Sequence, residues 1–377
     1  MIIWFALLIP VITAVILLKF FSHKTAIWEF AIPFLATLIT ILIIKFGGES
    51  AQTSDTEFLS EPASHAIYSE PWDEEVPCTH SYNCNCTKDD KGNESCQTCY
   101  EHSYDVDYHP AYWSIVSESG NEIRITEAKY YSLVGRWKNK VFEDQNRDFH
   151  DIDGDWYVTY WPKNESVLEC MVKEHSYENR VQSSNSVFNY QEVSEEDKKH
   201  YGIYEYPNIS FGYNQTNILG MGDSTRRTAE RKMEILNAKL GKVKQVKVFI
   251  LLFRNKTENA AFIQECYWKG GNKNELVVCI GIDDALNVKW CKAFSFTEVS
   301  EIKINVRNYV TDLKQLNCSS VVDFLSTEVE RNFKRKHFKD FNYLEIEPKG
   351  WQIWLTFILT IVINIAVSAW VIKNEFK

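Results

Sequence analysis

Gln245-Val-Lys-Val-Phe-Ile-Leu-Leu-Phe253 decides the fold of the aqueous part of this chain. From Val246 onward only Lys247 interrupts an apolar run, the pattern of a strand covered on both faces. Two further runs follow it. Leu276–Ile282 reads as a second buried strand, and Val288–Phe294 as a third, turned antiparallel by Asp283-Asp-Ala-Leu-Asn287. That loop places Cys279 directly opposite Cys291, as a cross-strand disulfide or as two buried thiols. Helical patterns lie between and around the strands. One starts at Asp223 or Ser224 and stops at Gly241; another runs from Thr257 to Tyr267. Ser295 and Glu298 form a capping-box pattern ahead of a stripe of Ile302, Val306, Tyr309, Leu313 and Leu316, and a last helix from Ser320 carries a basic run. This order predicts a mixed α/β (α+β) soluble region whose C-terminal domain is a three-layer sandwich.

Outward from this domain, both ends turn apolar. Ile2–Leu18 and Trp351–Ile372 carry no charge, and Ile27–Phe46 has only Glu29 and Lys45 near its ends. A helix needs about 17–25 apolar residues to cross a bilayer, so three transmembrane helices are predicted, two N-terminal and one C-terminal. Trp351, Trp354 and Trp370 suit the two headgroup layers. A cleaved signal peptide fits the first stretch poorly, because no positive charge precedes it. Pro10 and Pro33 are expected to kink their helices, and Asn364 is either a helix–helix hydrogen-bonding residue or a tolerated amide. Lys19 and Lys24 in the short loop, with Lys373 and Lys377 in the tail, favour the cytoplasm and put the large soluble region on the extracytoplasmic side. The run Arg331, Lys334, Arg335, Lys336 and Lys339 argues the other way.

The boundaries are then 1–46 for a transmembrane hairpin, 47–77 for an acidic stalk, 78–215 for a cysteine-cluster and β-rich region, 216–345 for the α/β domain and 351–372 for the returning helix. Residues 47–100 hold eleven acidic and two basic residues, which reads as a solvated spacer. The whole chain carries 41 basic and 51 acidic residues, a balance that argues against a nucleic-acid partner.

Cys78, His80, Cys84, Cys86, Cys96, Cys99, His102 and His109 crowd one short stretch. A turn about Lys91 sets the Cys84/Cys86 arm beside the Cys96/Cys99 arm. Four thiolates there suit tetrahedral structural zinc; disulfides suit an extracytoplasmic setting, the odd fifth cysteine then pairing with a distant mate such as Cys170 or staying free; unpaired thiols are the third reading. His102, Asp105, Asp107 and His109 alternate as on a strand and read as mostly structural. Asp151-Ile-Asp153-Gly154-Asp155 reads as a hairpin turn rather than a calcium loop, and His175–Arg180 as a solvated helix start. Asn-x-Ser/Thr triplets stand at Asn85, Asn93, Asn164, Asn208, Asn214, Asn255 and Asn317.

Residues Leu236–Val299, with the strand at 245–253, Trp268-Lys-Gly-Gly271 and Leu276-Val-Val-Cys-Ile-Gly-Ile-Asp283, resemble a TPM-type domain. The resemblance implies an α/β/α sandwich, often membrane-tethered, in a family associated variously with phosphatase activity, photosystem repair and receptor assembly. It also implies that Asp283 and Asp284 occupy the place where such domains present carboxylates to a divalent cation; for phosphoryl chemistry, Arg254, Lys269 and Lys273 are the basic residues available to neutralise charge, though their spacing does not require it. The whole chain resembles membrane proteins of bacteria and their viruses that have no assigned role. Two functions are therefore expected: a membrane-anchored module that binds or assembles with a protein partner, or a metal-dependent TPM-like phosphohydrolase. The scarcity of polar groups in the apolar stretches argues against a transporter.

Overall fold

The structure is a computed structural model that describes residues 2–21, 31–88, 94–143, 155–184, 190–209, 212 and 216–374. The Asp151–Gly154 turn, the loop about Lys91, Asn93 and Asn214 lie outside the described residues. A 3₁₀ turn at Ile2–Leu7 leads into α1 (Leu8–Phe21), and α2 spans Ala31–Thr53. Ile2–Phe20 and Ala31–Thr53 are both long and apolar enough to cross a membrane. Pro10 lies three residues into α1, directly after the 3₁₀ turn, and Pro33 lies near the first described residue of α2.

The expected stalk is absent. α2 continues past Phe46 to Thr53 and passes straight into β1 (Ser54–Ser69), a 16-residue strand inside a sheet. Within β1 the acidic residues that suggested solvation are held by distant partners. Glu57 is fully buried, with Arg335 Nη2 at 2.5 Å, His175 Nδ1 at 2.8 Å and Lys273 Nζ at 3.2 Å. Asp55 accepts from Tyr177 at 2.8 Å, and Glu61 from Ser119 at 2.7 Å.

β2 (Trp72–Pro77), β3 (Ser81–Lys88), β4 (Glu94–Tyr100) and β5 (Tyr104–His109) form a nested ribbon, β2 on β5 and β3 on β4. The chain returns through β6 (Tyr112–Ser117), β7 (Glu122–Arg124), α3 (Glu127–Trp137), β8 (Lys140–Glu143), β9 (Trp156–Tyr160) and β10 (Cys170–Glu178). Among the described residues the sheet runs β7-β6-β1-β9-β8, with β10 on the first half of β1. Pro62 and a register shift between Ala63 and His65 mark where β1 changes partners. His175 therefore lies on a strand, not at a helix start, and β1 is what draws it there: His175 pairs with Glu57. Thr126 caps α3, whose Tyr130, Leu133 and Trp137 pack on Ala63, Ala66 and Ile115.

After α4 (Glu195–Tyr201) come β11 (Ile218–Leu219), α5 (Arg226–Lys244), β12 (Lys247–Arg254), α6 (Asn259–Tyr267), β13 (Glu275–Ile282), β14 (Val288–Ser295), α7 (Glu301–Asp312) and α8 (Cys318–Asn332). The sheet order is β11-β12-β13-β14, parallel except for β14. Alternate residues of β12 face opposite ways. Val248, Ile250 and Leu252 pack with α5, α7 and α8, while Phe249, Leu251 and Phe253 pack with α6 and Trp268.

Three sequence readings fail here for local reasons. Gly241 does not stop α5; it lies inside the helix, where glycine is needed because a Cβ would sit 2.5 Å from the Ser60 carbonyl of β1. Ser295 belongs to β14 and donates to the Glu275 carbonyl at 2.5 Å, so it caps no helix. Cys279 pairs with Lys292, and Cys291 with Ile280, because a bulge after Gly281 shifts the register. A one-residue shift turns side chains to opposite faces. Cys279 faces α6 and Cys291 faces α7 and α8, as two buried free thiols that burial pushes well up, Cys291 to about 12.

α9 (Gly350–Asn374) is the third helix, apolar enough to cross a membrane over Gly350–Trp370. Gln352, Thr356, Thr360, Asn364 and Ser368, spaced by one helical turn, are all buried. Asn364 Nδ2 donates to Thr37 Oγ1 of α2 at 3.0 Å, so this amide joins two helices.

Candidate functional site

β1 through β6 form one antiparallel arm. Its register runs from Ser69↔Tyr112 through Trp72↔His109 and Pro77↔Tyr104 to Ser81↔Tyr100 and Cys84↔Gln97 without a slip. Beyond Ser69 the arm leaves the sheet. β3 and β4 pair only with each other and are largely exposed on both faces. Two links lock the tip, Cys84–Cys99 and Cys86–Cys96. These four sulfurs are therefore bonded in pairs and do not form the tetrathiolate zinc site that their spacing also allowed. At the base, the His109 ring stacks on Trp72 at 4.3 Å and pairs with Glu74 at 2.7 Å.

Ladder pairing breaks between β2 and β3 and between β5 and β4, at residues 78–80 and 101–103, though Glu101 N still donates to His80 O at 3.1 Å. This joint gathers Cys78, His80, His102 and Asp105, whose ligand atoms all lie within 4.8 Å of one another. Asp105 Oδ1 stands 2.5 Å from His102 Nε2 and 3.3 Å from His80 Nδ1. Its Oδ2 accepts from Thr79 N at 2.8 Å. The bond to His102, followed by that to the Thr79 amide, holds the Asp105 carboxyl down at about 2. Cys78 is buried and the histidines are largely exposed. Alternation alone put His102 and Asp105 on different faces. The break in the ladder is what lets them converge.

Tyr104, Val106 and Tyr108 occupy alternate positions of β5 and so share one face. They are 43%, 50% and 63% exposed, more than a strand whose face is packed would show. Pro77, Glu75 and Asp73 lie directly opposite them. Residues 70–109 carry ten acidic and two basic side chains, so the arm is a strongly negative, tyrosine-faced projection.

The residues assigned through the TPM resemblance are arranged otherwise. Asp283 closes the β13–β14 turn: Oδ1 accepts from Ala285 N at 3.0 Å and Asn287 N at 2.8 Å, and Oδ2 meets Asn287 Nδ2 and Lys289 Nζ at 2.9 Å. Lys289, then Asn287, holds its carboxyl far below the ordinary range. Asp284 is exposed and lies 3.3 Å from Arg254 Nε. Lys273 is turned away to Glu57.

A second polar cluster lies between the two sheets. Glu275 is buried and accepts from Tyr206 OH at 2.5 Å and from Asn272 N and Nδ2 at 3.0 Å. Burial raises its pKa and lowers that of the fully buried Lys247 to about 8. The flanking cavity, about 300 Å³, is lined by Asp55, Asn179, Tyr206, Trp268 and Asn272. These hydrogen bonds engage both Glu275 oxygens, which suits a structural clasp between the sheets. Compared with known protein families, curated proteins and solved structures, the chain matches none.

Proposed function

We propose that this chain is an integral membrane protein, held by its three apolar helices, whose soluble region is a binding or assembly module. The disulfide-locked arm is its contact element. The observation that carries the proposal is the arm itself: an acidic ribbon with Tyr104, Val106 and Tyr108 exposed on one face. Tyrosine is enriched at protein interfaces, and an anionic surface with exposed rings suits a partner rich in arginine and lysine. The two disulfides support an extracytoplasmic position for the soluble region. Within the basic run, Arg335 is engaged by the buried Glu57, whereas Lys334 pairs with Glu298 at the surface. The TPM-like layering, helices on both faces of the β11–β14 sheet, is part of the same proposal. The phosphohydrolase reading has less support, because the Asp283 oxygens already have partners.

A photo-crosslinking residue placed at Tyr104 or Tyr108 of the full chain, in the membranes that produce it, tests the reading. A discrete adduct that disappears when Asp73, Glu75 and Asp107 become Asn, Gln and Asn supports it. The same adduct from the exposed Phe262 of α6, or no adduct from the arm, contradicts it.

A further inference from the structure

The joint of the ribbon has a composition that neither strand pairing nor partner binding requires. A reduced cysteine, two imidazoles and a carboxylate meet where the ladder is broken, beside a tip whose own four cysteines are oxidised. We propose that Cys78 Sγ, His80 Nδ1, His102 Nε2 and an Asp105 oxygen bind one zinc ion that rigidifies the arm.

The donor set fits that ion. Thiolate, imidazole and carboxylate are the three protein ligand types that zinc takes, and four ligands close a structural tetrahedral site. A thiolate and a carboxylate also neutralise a divalent cation, so the filled site carries no net charge. Bond lengths of about 2.0–2.3 Å put tetrahedral ligand atoms roughly 3.3–3.8 Å apart. The four atoms here already lie within 4.8 Å of one another. Rotations of about an ångström at exposed imidazoles close the difference to that tetrahedral spacing. The second oxygen of Asp105 is held by Thr79 N and Oγ1, the kind of outer hydrogen bond that orients a metal-binding carboxylate. Cys78 and His80 come from the β2 side and His102 and Asp105 from the β5 side, so the ion bridges both strands where the ladder is missing. The arm then has two staples: covalent at its tip and coordinate at its middle. Without zinc, residues 78–80 and 101–103 form a hinge.

The test uses the full chain in detergent, with the disulfides confirmed intact by mass. After dialysis against zinc and then buffer, elemental analysis is expected to find one zinc per chain, and a Cys78→Ser/His102→Gln variant none. Retention of zinc by that variant, or its absence from the wild type, overturns the proposal. His102→Gln alone should weaken binding by more than the roughly 10–100-fold that loss of an outer partner costs. A readout that needs no variant guards against misfolding. Cobalt added to the metal-free wild type should give the absorption of a tetrahedral thiolate complex, and zinc should shield Cys78 from alkylation as mapped by mass spectrometry. Alkylation of Cys78 at one rate with and without zinc sinks the assignment.

Discussion

Reducing the two disulfides should open the tip of the arm and leave the β11–β14 sheet intact. β3 and β4 bury little apolar surface, and an isolated two-stranded hairpin is marginal in water. The cross-links therefore supply most of the local stability. Cys84–Cys99 spans 15 residues and Cys86–Cys96 spans 10. Chain-entropy arguments give about 3 kcal/mol for a loop of the larger size. The loops are nested, so the second adds much less than the first. A loss of about 3 kcal/mol moves the opening equilibrium roughly 100-fold. Amide hydrogen exchange on the full chain in detergent, with and without reductant, measures this by segment. Residues 81–88 and 94–100 should exchange roughly 100-fold faster after reduction. β12 and β13, which contain no disulfide, should not change. Unchanged protection in the tip would refute the reasoning, as would loss of protection spreading into β12.

Three other outcomes follow. Lys247 titrates at 10.5 when unfolded and about 8 in the fold, so between these values the unfolded chain holds more protons and stability rises with pH. Lys247→Met should abolish that rise, worth on the order of 3 kcal/mol, in urea unfolding curves taken across the window; equal slopes for both proteins would contradict it. Asn364→Leu combined with Thr37→Val in a double-mutant cycle should reveal a coupling of about 0.6–1.7 kcal/mol in detergent unfolding, and additive single effects would remove the interhelical bond from the account. The wild type should show no chelator-sensitive phosphatase activity, and Asp283→Asn should lower thermal stability without moving the background; metal-dependent hydrolysis lost in Asp283→Asn/Asp284→Asn would restore the enzymatic reading.

What could be read from the sequence depended on how local its cause was. β12 and β13 were legible because a strand covered on both faces is apolar at nearly every position between its ends. The apolar helices were legible by length alone. β1 was not, because Glu57 answers to Arg335 and Lys273, hundreds of positions away, and a buried acid looks like a solvated one until its partner is placed. A single bulge after Gly281 undid the pairing of Cys279 with Cys291. In α9 only Asn364 stood out as a helix–helix hydrogen-bonding residue; Gln352, Thr356, Thr360 and Ser368, one turn apart on the same face, did not, because mean hydropathy hides them. For the joint, Cys78, His80 and His102 stood out as ligand types, while their meeting with Asp105 required the register of the whole arm.

Anchoring in the bilayer through α1, α2 and α9 underlies everything proposed, and alkaline carbonate extraction of membranes containing the full chain tests it most directly. The chain is expected to stay in the membrane pellet. Its release into the supernatant, with the arm still disulfide-bonded and folded, would contradict the account.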